Sequence, residues 1–180
     1  MKKAVLLFII SFLFTGLAYS QVSVGVGGGA GLPMGDFKDL AKTGFGFAGT
    51  VNYSMPASPV ELSATVGYDM FGFSDAMKAA FGDYKFKGLT VLGGANYLFK
   101  SAGNMFTPYI GGKLGIMSQS SDAPGSTSQS AFTWSPQVGF RYGFSPTMSL
   151  DVNAHYVSAS KNGATTSWLG IQGGIVFGLN

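Results

Sequence analysis

Apolar and polar residues alternate with period two in eight stretches of the chain, and turn-forming residues bound each stretch. One alternating face reads Val22, Val24, Val26, Gly28, Ala30 in the first stretch and Phe45, Phe47, Gly49, Val51, Tyr53 in the second. It continues as Val60, Leu62, Ala64, Val66, Tyr68, Met70 and then Leu89, Val91, Gly93, Ala95, Tyr97, Phe99. The fifth and sixth stretches give Pro108, Ile110, Gly112, Leu114, Ile116 and Phe132, Trp134, Pro136, Val138, Phe140, Tyr142. The last two give Met148, Leu150, Val152, Ala154, Tyr156 and Leu169, Ile171, Gly173, Ile175, Phe177. No charged residue falls on this face. The opposite face carries Gly, Ser, Thr, Asn and Gln, together with Glu61, Asp69, Lys113, Arg141 and Asp151. Period-two alternation of this length predicts β-strands.

Alternation does not by itself say which face points outward. A soluble barrel would turn the apolar face inward and coat its exterior with Lys and Glu, but the polar face here is small and mostly uncharged. Lipid gives the other answer. A Lys or Arg on a lipid-facing strand costs about 2–4 kcal/mol at the bilayer midplane, which empties that face of charge. Aromatic residues gather towards the two ends of the stretches. Tyr53, Tyr97, Phe99, Tyr142 and Phe177 lie at one end, and Phe45, Tyr68, Phe132, Trp134 and Tyr156 at the other. Two such girdles are expected where a barrel wall crosses the two interfaces.

The connections alternate as well. Pro56–Pro59, Lys100–Met105 and Ser145–Thr147 are short, whereas Leu32–Thr43, Gly72–Lys85, Gln119–Ala131 and Ser158–Thr166 are longer. The fold predicted is all-β: an eight-stranded antiparallel up-and-down transmembrane β-barrel with short periplasmic turns and longer extracellular loops. Before it, Lys2 and Lys3 precede an apolar run, Ala4–Gly16, that ends in Leu17-Ala18-Tyr19-Ser20. This reads as a secretory signal peptide over residues 1–20, shorter than a spanning helix, which leaves a barrel domain over 21–180.

Composition sharpens the picture. The chain has 28 Gly among 180 residues, 26 aromatics (16 Phe, 8 Tyr, 2 Trp), 11% charged residues and no Cys. Low charge excludes a disordered tail, and the missing Cys excludes disulfides, thiolate metal sites and lipoprotein acylation. Of 11 basic residues, two lie in the leader, so nine face eight acidic ones, a net charge of +1. That leaves no basic patch for nucleic acid.

Gly31-Leu32-Pro33-Met34-Gly35-Asp36-Phe37, Thr107-Pro108-Tyr109-Ile110-Gly111-Gly112-Lys113-Leu114-Gly115 and Gly173-Gly174-Ile175-Val176-Phe177 resemble the small outer-membrane β-barrel family of OmpA-, OmpX- and OmpW-like proteins of Gram-negative bacteria. The resemblance implies a cell outer membrane location among its lipid and lipopolysaccharide, and insertion by the outer-membrane assembly machinery. That machinery usually recognises a terminal aromatic. Phe177 is the candidate, although Gly178-Leu179-Asn180 follow it.

Little in the chain suggests chemistry. Gly25-Val26-Gly27-Gly28-Gly29-Ala30 fits G-x-G-x-x-A by form, but it lacks the βαβ unit and acidic partner of a dinucleotide site. Asn52-Tyr53-Ser54 is a glycosylation sequon lying mid-strand. His155 is the only histidine, so a multi-histidine metal site cannot form. Asp151 shares its inward face, but four strand residues separate the two by about 13 Å, beyond the reach of a catalytic base and its orienting carboxylate. Lipid A deacylases place His and Ser on the outer face; His155 points inward.

The chain therefore predicts no enzyme, no cofactor, no metal and a monomer. The leading expectation is a structural or surface-interaction role; the alternative, allowed by the OmpW-like resemblance, is a narrow conduit or binder for small hydrophobic molecules. Inward positions include Gly25, Gly67, Gly94, Gly111, Gly139 and Gly174, which leave space unless Phe71, Leu92, Tyr109, Met117, Gln137 and Arg141 fill it. A turn centred on Pro146 opposes Phe140 to Val152, Tyr142 to Leu150, Val138 to Ala154, Gln137 to His155 and Arg141 to Asp151. It predicts an inward ion pair, Arg141–Asp151, near the periplasmic end. Two loops read as short helices, Phe37–Lys42 capped by Asp36 and Asp75–Phe81 capped by Ser74 and stopped by Gly82. In the second, Met77, Ala80 and Phe81 would share a packed face, and Ser118–Ser130 reads as a mobile loop.

Overall fold

The computed structural model describes residues 21–99, 105–123, 125–161 and 163–179. The signal peptide predicted over residues 1–20 lies outside them. Eight strands, β1 (Val22–Met34), β2 (Gly44–Ser54), β3 (Val60–Gly72), β4 (Lys85–Leu98), β5 (Phe106–Ser121), β6 (Gln129–Gly143), β7 (Met148–Lys161) and β8 (Ala164–Leu179), form one closed barrel in sequence order. Every neighbouring pair is antiparallel, and β1 closes on β8. Closure leaves no edge strand through the barrel wall.

The wall is inverted relative to a soluble protein. Phe45, Phe47, Val66, Ile110, Leu114, Ile116 and Val138 are exposed, while Asn52, Glu61, Ser63, Thr65, Asn96, Thr133 and Gln137 are buried. Lipid satisfies the first set; of the second, Glu61, Asn96 and Gln137 bond across the lumen, Asn52 and Thr65 bond to a neighbouring strand and Thr133 bonds within its own. No helix among the described residues is long and apolar enough to cross a membrane; the strands cross it.

Two predicted loops are shorter than their composition suggested. β7 and β8 run on as far as Lys161 and Ala164, and β5 and β6 reach Ser121 and Gln129. Most of Ser158–Thr166 and much of Ser118–Ser130 is therefore strand. Hydroxyl contacts explain why a Ser- and Thr-rich segment extends the sheet: Ser160 meets Thr165 at 3.1 Å and Ser118 meets Ser128 at 2.8 Å. β4 likewise starts early, which puts Lys85 and Lys87 on the outward parity just beyond Leu89.

The space at the inward glycines is filled in part by the candidate side chains, while Gly25, Gly67 and Gly174 still border open space in the lumen. A Cβ at Gly139 would stand 2.7 Å from the Tyr109 ring, one at Gly31 2.8 Å from Phe71, and one at Gly170 would collide with the His155 imidazole. Each glycine is the seat of a large side chain reaching across from another strand. At Gly174 and Gly29 on the β1–β8 seam, and Gly94 and Gly115 on the opposite β4–β5 seam, the collision is with neighbouring backbone. Inward Cβ atoms converge where a sheet curls, so glycine permits the tight turn of the wall there.

Both short helices are present, with differences. Helix α1 (Phe37–Leu40) is one turn long, and Asp36 does not cap it: its backbone is already helical (φ −63°, ψ −23°) and its side chain makes no capping bond. Ser74, with extended backbone (φ −63°, ψ 164°), does cap α2 (Asp75–Phe81), accepting from the Met77 amide at 3.4 Å, and Gly82 at φ 102° ends the helix. The packed face expected of α2 does not form: no residue of it is buried, and Phe81 is 64% exposed. Polar bonds at its base hold it instead, including Ser74 N–H to Leu40 O at 2.9 Å and Ser74 Oγ to Asp39 O at 2.8 Å.

Candidate functional site in the lumen

The inward face of the short-turn end carries one connected polar network. Arg141 on β6 stands opposite Asp151 on β7, and its Nε donates to Asp151 Oδ2 at 2.8 Å. Its two terminal nitrogens grip Glu61 on β3, Nη1 to Oε2 at 2.6 Å and Nη2 to Oε1 at 2.9 Å. The fork geometry matches a carboxylate in two bonds, which a lysine could not do. Tyr109 lies 5.5 Å beneath the guanidinium and donates its hydroxyl to Asp151 Oδ1 at 2.9 Å. Asn96 donates to Glu61 Oε1 at 3.1 Å and accepts from Gln137 at 2.5 Å. Glu61 is 1% exposed, so its charge is tolerable only because these donors surround it.

His155 joins the same network by a route the sequence reading missed. Asp151 and His155 do not touch, but Asn153 lies between them on the same face of β7. Its Nδ2 donates to Asp151 at 3.1 Å, and its Oδ1 lies 2.9 Å from His155 Nδ1. Residues i, i+2 and i+4 share one face of a strand, so the bridge was open to a parity argument. The Glu61–Arg141 pair was not, because it spans the lumen between strands that are not neighbours.

The lumen holds two polar cavities, of about 460 and 610 Å³ with their openings included; the first is bordered by the network's own Asn96, Tyr109, Arg141 and Asp151, and the two share Ala48, Lys113, Gln137, Asn153 and Gln172 as lining. The Lys113 ammonium reaches no acceptor among the described residues, and Asp69, on the upper cavity, meets no donor among them. Towards the long-loop end the lumen is closed by an apolar cluster of Phe37, Phe71, Met117, Ala131, Val157, Ala159 and Trp168. Phe37 meets Phe71 edge-on at 5.2 Å, and Phe71 meets Trp168 at 5.2 Å. Phe177, the candidate assembly aromatic, faces outward near the end of β8, opposite Met148.

This geometry holds Arg141, Glu61 and Asp151 in fixed bonds at one end of the lumen and packs apolar side chains across the other. A family model for the outer membrane protein beta-barrel domain matches residues 4–177. The chain belongs to that family. A search of the curated proteins found no match. Among solved structures the barrel resembles Neisserial surface protein A (TM-score 0.67, 16% identity, 89% of this chain and 97% of that one). It also resembles Ail, the attachment invasion locus protein of Yersinia pestis (TM-score 0.58, 17% identity, 87% and 98%). At these identities the likeness is one of fold. Membership of the family puts this barrel in the outer membrane, apolar face to lipid.

Proposed function

We propose that this protein is a closed, non-catalytic outer-membrane barrel whose task is to hold a rigid surface platform above the outer leaflet. The observation that carries the reading is the pairing of a sealed lumen with tied loops. Phe37, Phe71 and Trp168 seal one end and the Arg141 network the other. Above them the segment that ends α1 is tied to α2 and to the end of β3: Lys42 pairs with Asp75 at 2.6 Å, Lys42 N–H meets Gly72 O at 2.8 Å, and Ala41 bridges Phe73. Outer-membrane lipid and lipopolysaccharide surround the wall, and the protein works as a monomer. Residues 1–20 are the leader removed on export, and Phe177 is the aromatic read by the assembly machinery.

The test has two parts. Purified protein in planar bilayers should give no steady current; a stable porin-sized conductance would return the narrow-conduit reading. Trypsin added to intact cells should cut the platform at exposed lysines such as Lys38 and Lys42. Complete resistance in intact cells, with cleavage only after lysis, would put these loops on the wrong side of the membrane.

A further inference from the structure

Removal of the leader after Ala18-Tyr19-Ser20 makes Gln21 the first residue of the mature chain. We infer that Gln21 is a modification site, at which the chain closes its own N-terminus into a pyroglutamyl lactam. The inference rests on the proposal above that residues 1–20 are removed on export, and it assigns what Gln21 then becomes. The α-amine of Gln21 attacks Cδ of its own side chain. An N–Cδ bond forms, the bond from Cδ to the carboxamide nitrogen breaks, and one amine proton leaves with that nitrogen as ammonia. No oxidant, reductant or co-reactant is consumed. The ring closes through five atoms, N, Cα, Cβ, Cγ and Cδ, so the groups react at the high effective concentration of neighbours on one residue. An α-amine ordinarily titrates at about 8, which leaves roughly a tenth of it as the attacking free base at neutral pH. Asparagine at this position could close only a strained four-membered ring.

The fold accepts the lactam without rearrangement. Ser54 N–H donates to the Gln21 carbonyl at 2.8 Å, and cyclisation leaves that carbonyl intact. β1 begins one residue further on, at Val22, which stands opposite Tyr53 and Leu179. Gln21 is half-buried and borders a recess at the short-turn end, with Ser54, Met55, Pro56, Pro59, Tyr97 and Phe99. Among the described residues no charged side chain lines this recess. Tyr97 and Phe99 belong to the aromatic girdle of this end, which places the rim at the membrane interface. A neutral five-membered ring suits that setting better than an ammonium, whose desolvation there is unfavourable. The lactam also leaves an aminopeptidase no α-amine to recognise.

The experiment expresses the full chain with its leader, extracts it promptly from outer membranes and weighs it intact by mass spectrometry. Most molecules should have the mass of residues 21–180 less one ammonia. Pyroglutamyl aminopeptidase acting on the unfolded chain should then remove that first residue alone. Gln21→Asn keeps a side-chain amide, yet it should show its full sequence mass and resist the enzyme. Wild-type protein at the full mass of residues 21–180 overturns the inference while leaving the leader reading intact. A mass that retains residues 1–20, or a chain that starts at another residue, overturns both. A loss of ammonia that is equal in Gln21→Asn lies elsewhere in the chain and overturns the assignment to Gln21.

Discussion

The two ends of the lumen are closed by opposite means. At the short-turn end the closure is ionic, one guanidinium between two carboxylates with amide and phenol donors completing the shell. At the long-loop end it is apolar, three aromatic rings and a methionine packed with no polar atom required. The first closure is specific in its partners but costly in desolvation, so its parts stand or fall together. The second is tolerant in its partners and depends on filled volume. The outer surfaces differ in the same sense. The ion pairs Lys42–Asp75, Lys78–Asp83 and Lys87–Asp122 all lie at the long-loop end, where solvent screens them and each contributes little.

Breaking the ionic closure should give the largest effect. Arg141→Met leaves Glu61 and Asp151 buried without their counter-charge and should destabilise the barrel by about 3–5 kcal/mol, read from urea unfolding in detergent. The triple replacement Glu61→Leu, Arg141→Met, Asp151→Leu should recover most of that loss, since no charge is then stranded. A triple variant as unstable as the single one would show that the network's shape, rather than its charge balance, holds this end. Trp168→Ala is the matching break at the other end, at a cost of about 3–5 kcal/mol from transfer and cavity together. Here a volume-restoring Trp168→Phe should recover much of the loss, whereas no single conservative change should rescue Arg141.

A lipid-face probe sets the scale between the two ends. Val138 is 59% exposed, and Val138→Lys should cost about 2–4 kcal/mol near the midplane. The inward comparison belongs at Gln172, which lines both cavities, rather than at Gln137, which is buried and bonded to Asn96. Gln172→Lys should therefore unfold at higher urea than Val138→Lys; the reverse order would mean that the cavities are dry.

The ends also differ in how far they could be read in advance. Strand parity and the Pro146 turn are local, so the eight alternating faces and the Arg141–Asp151 register follow from counting. Glu61 meets Arg141 across the barrel, at 80 residues' separation, and no pairing rule relates strands that do not touch. The filling of the inward glycines is closer to hand. Gly139 is the register partner of Tyr109 on the neighbouring strand β5, whose ring stands 2.7 Å from where its Cβ would be, so the β5–β6 pairing itself seats a large side chain there. At the long-loop end, apolar residues such as Phe37 announced burial, but the Ser- and Thr-rich extensions of β5–β8 hid their strand character behind a loop-like composition.

The smallest expected effect sits on the platform, where capping and charge can be separated. Ser74→Ala removes an acceptor for the Met77 amide and a donor to Asp39 O, and should cost α2 about 1 kcal/mol without touching the barrel. The readout is amide exchange across Asp75–Phe81, which should quicken while exchange in the strands stays unchanged. Acid provides an independent handle. The hydrogen bond from Lys42, and then its charge, hold the Asp75 carboxyl below its ordinary value of 3.8. A depressed carboxylate stabilises the folded form above its unfolded pKa and loses that contribution as pH falls through the folded one. The α1–α2 tie should therefore be intact at neutral pH, loosen only below about pH 4, and weaken in 1 M salt at any pH. Exchange of the α2 amides, followed as the pH is lowered from 7 and corrected for intrinsic rates, should show an acid step below the ordinary carboxylate range in wild type and lack it in Asp75→Asn. If both proteins show the same step, another carboxylate carries it, and Asp83, held low in the same way by Lys78, is the next to replace.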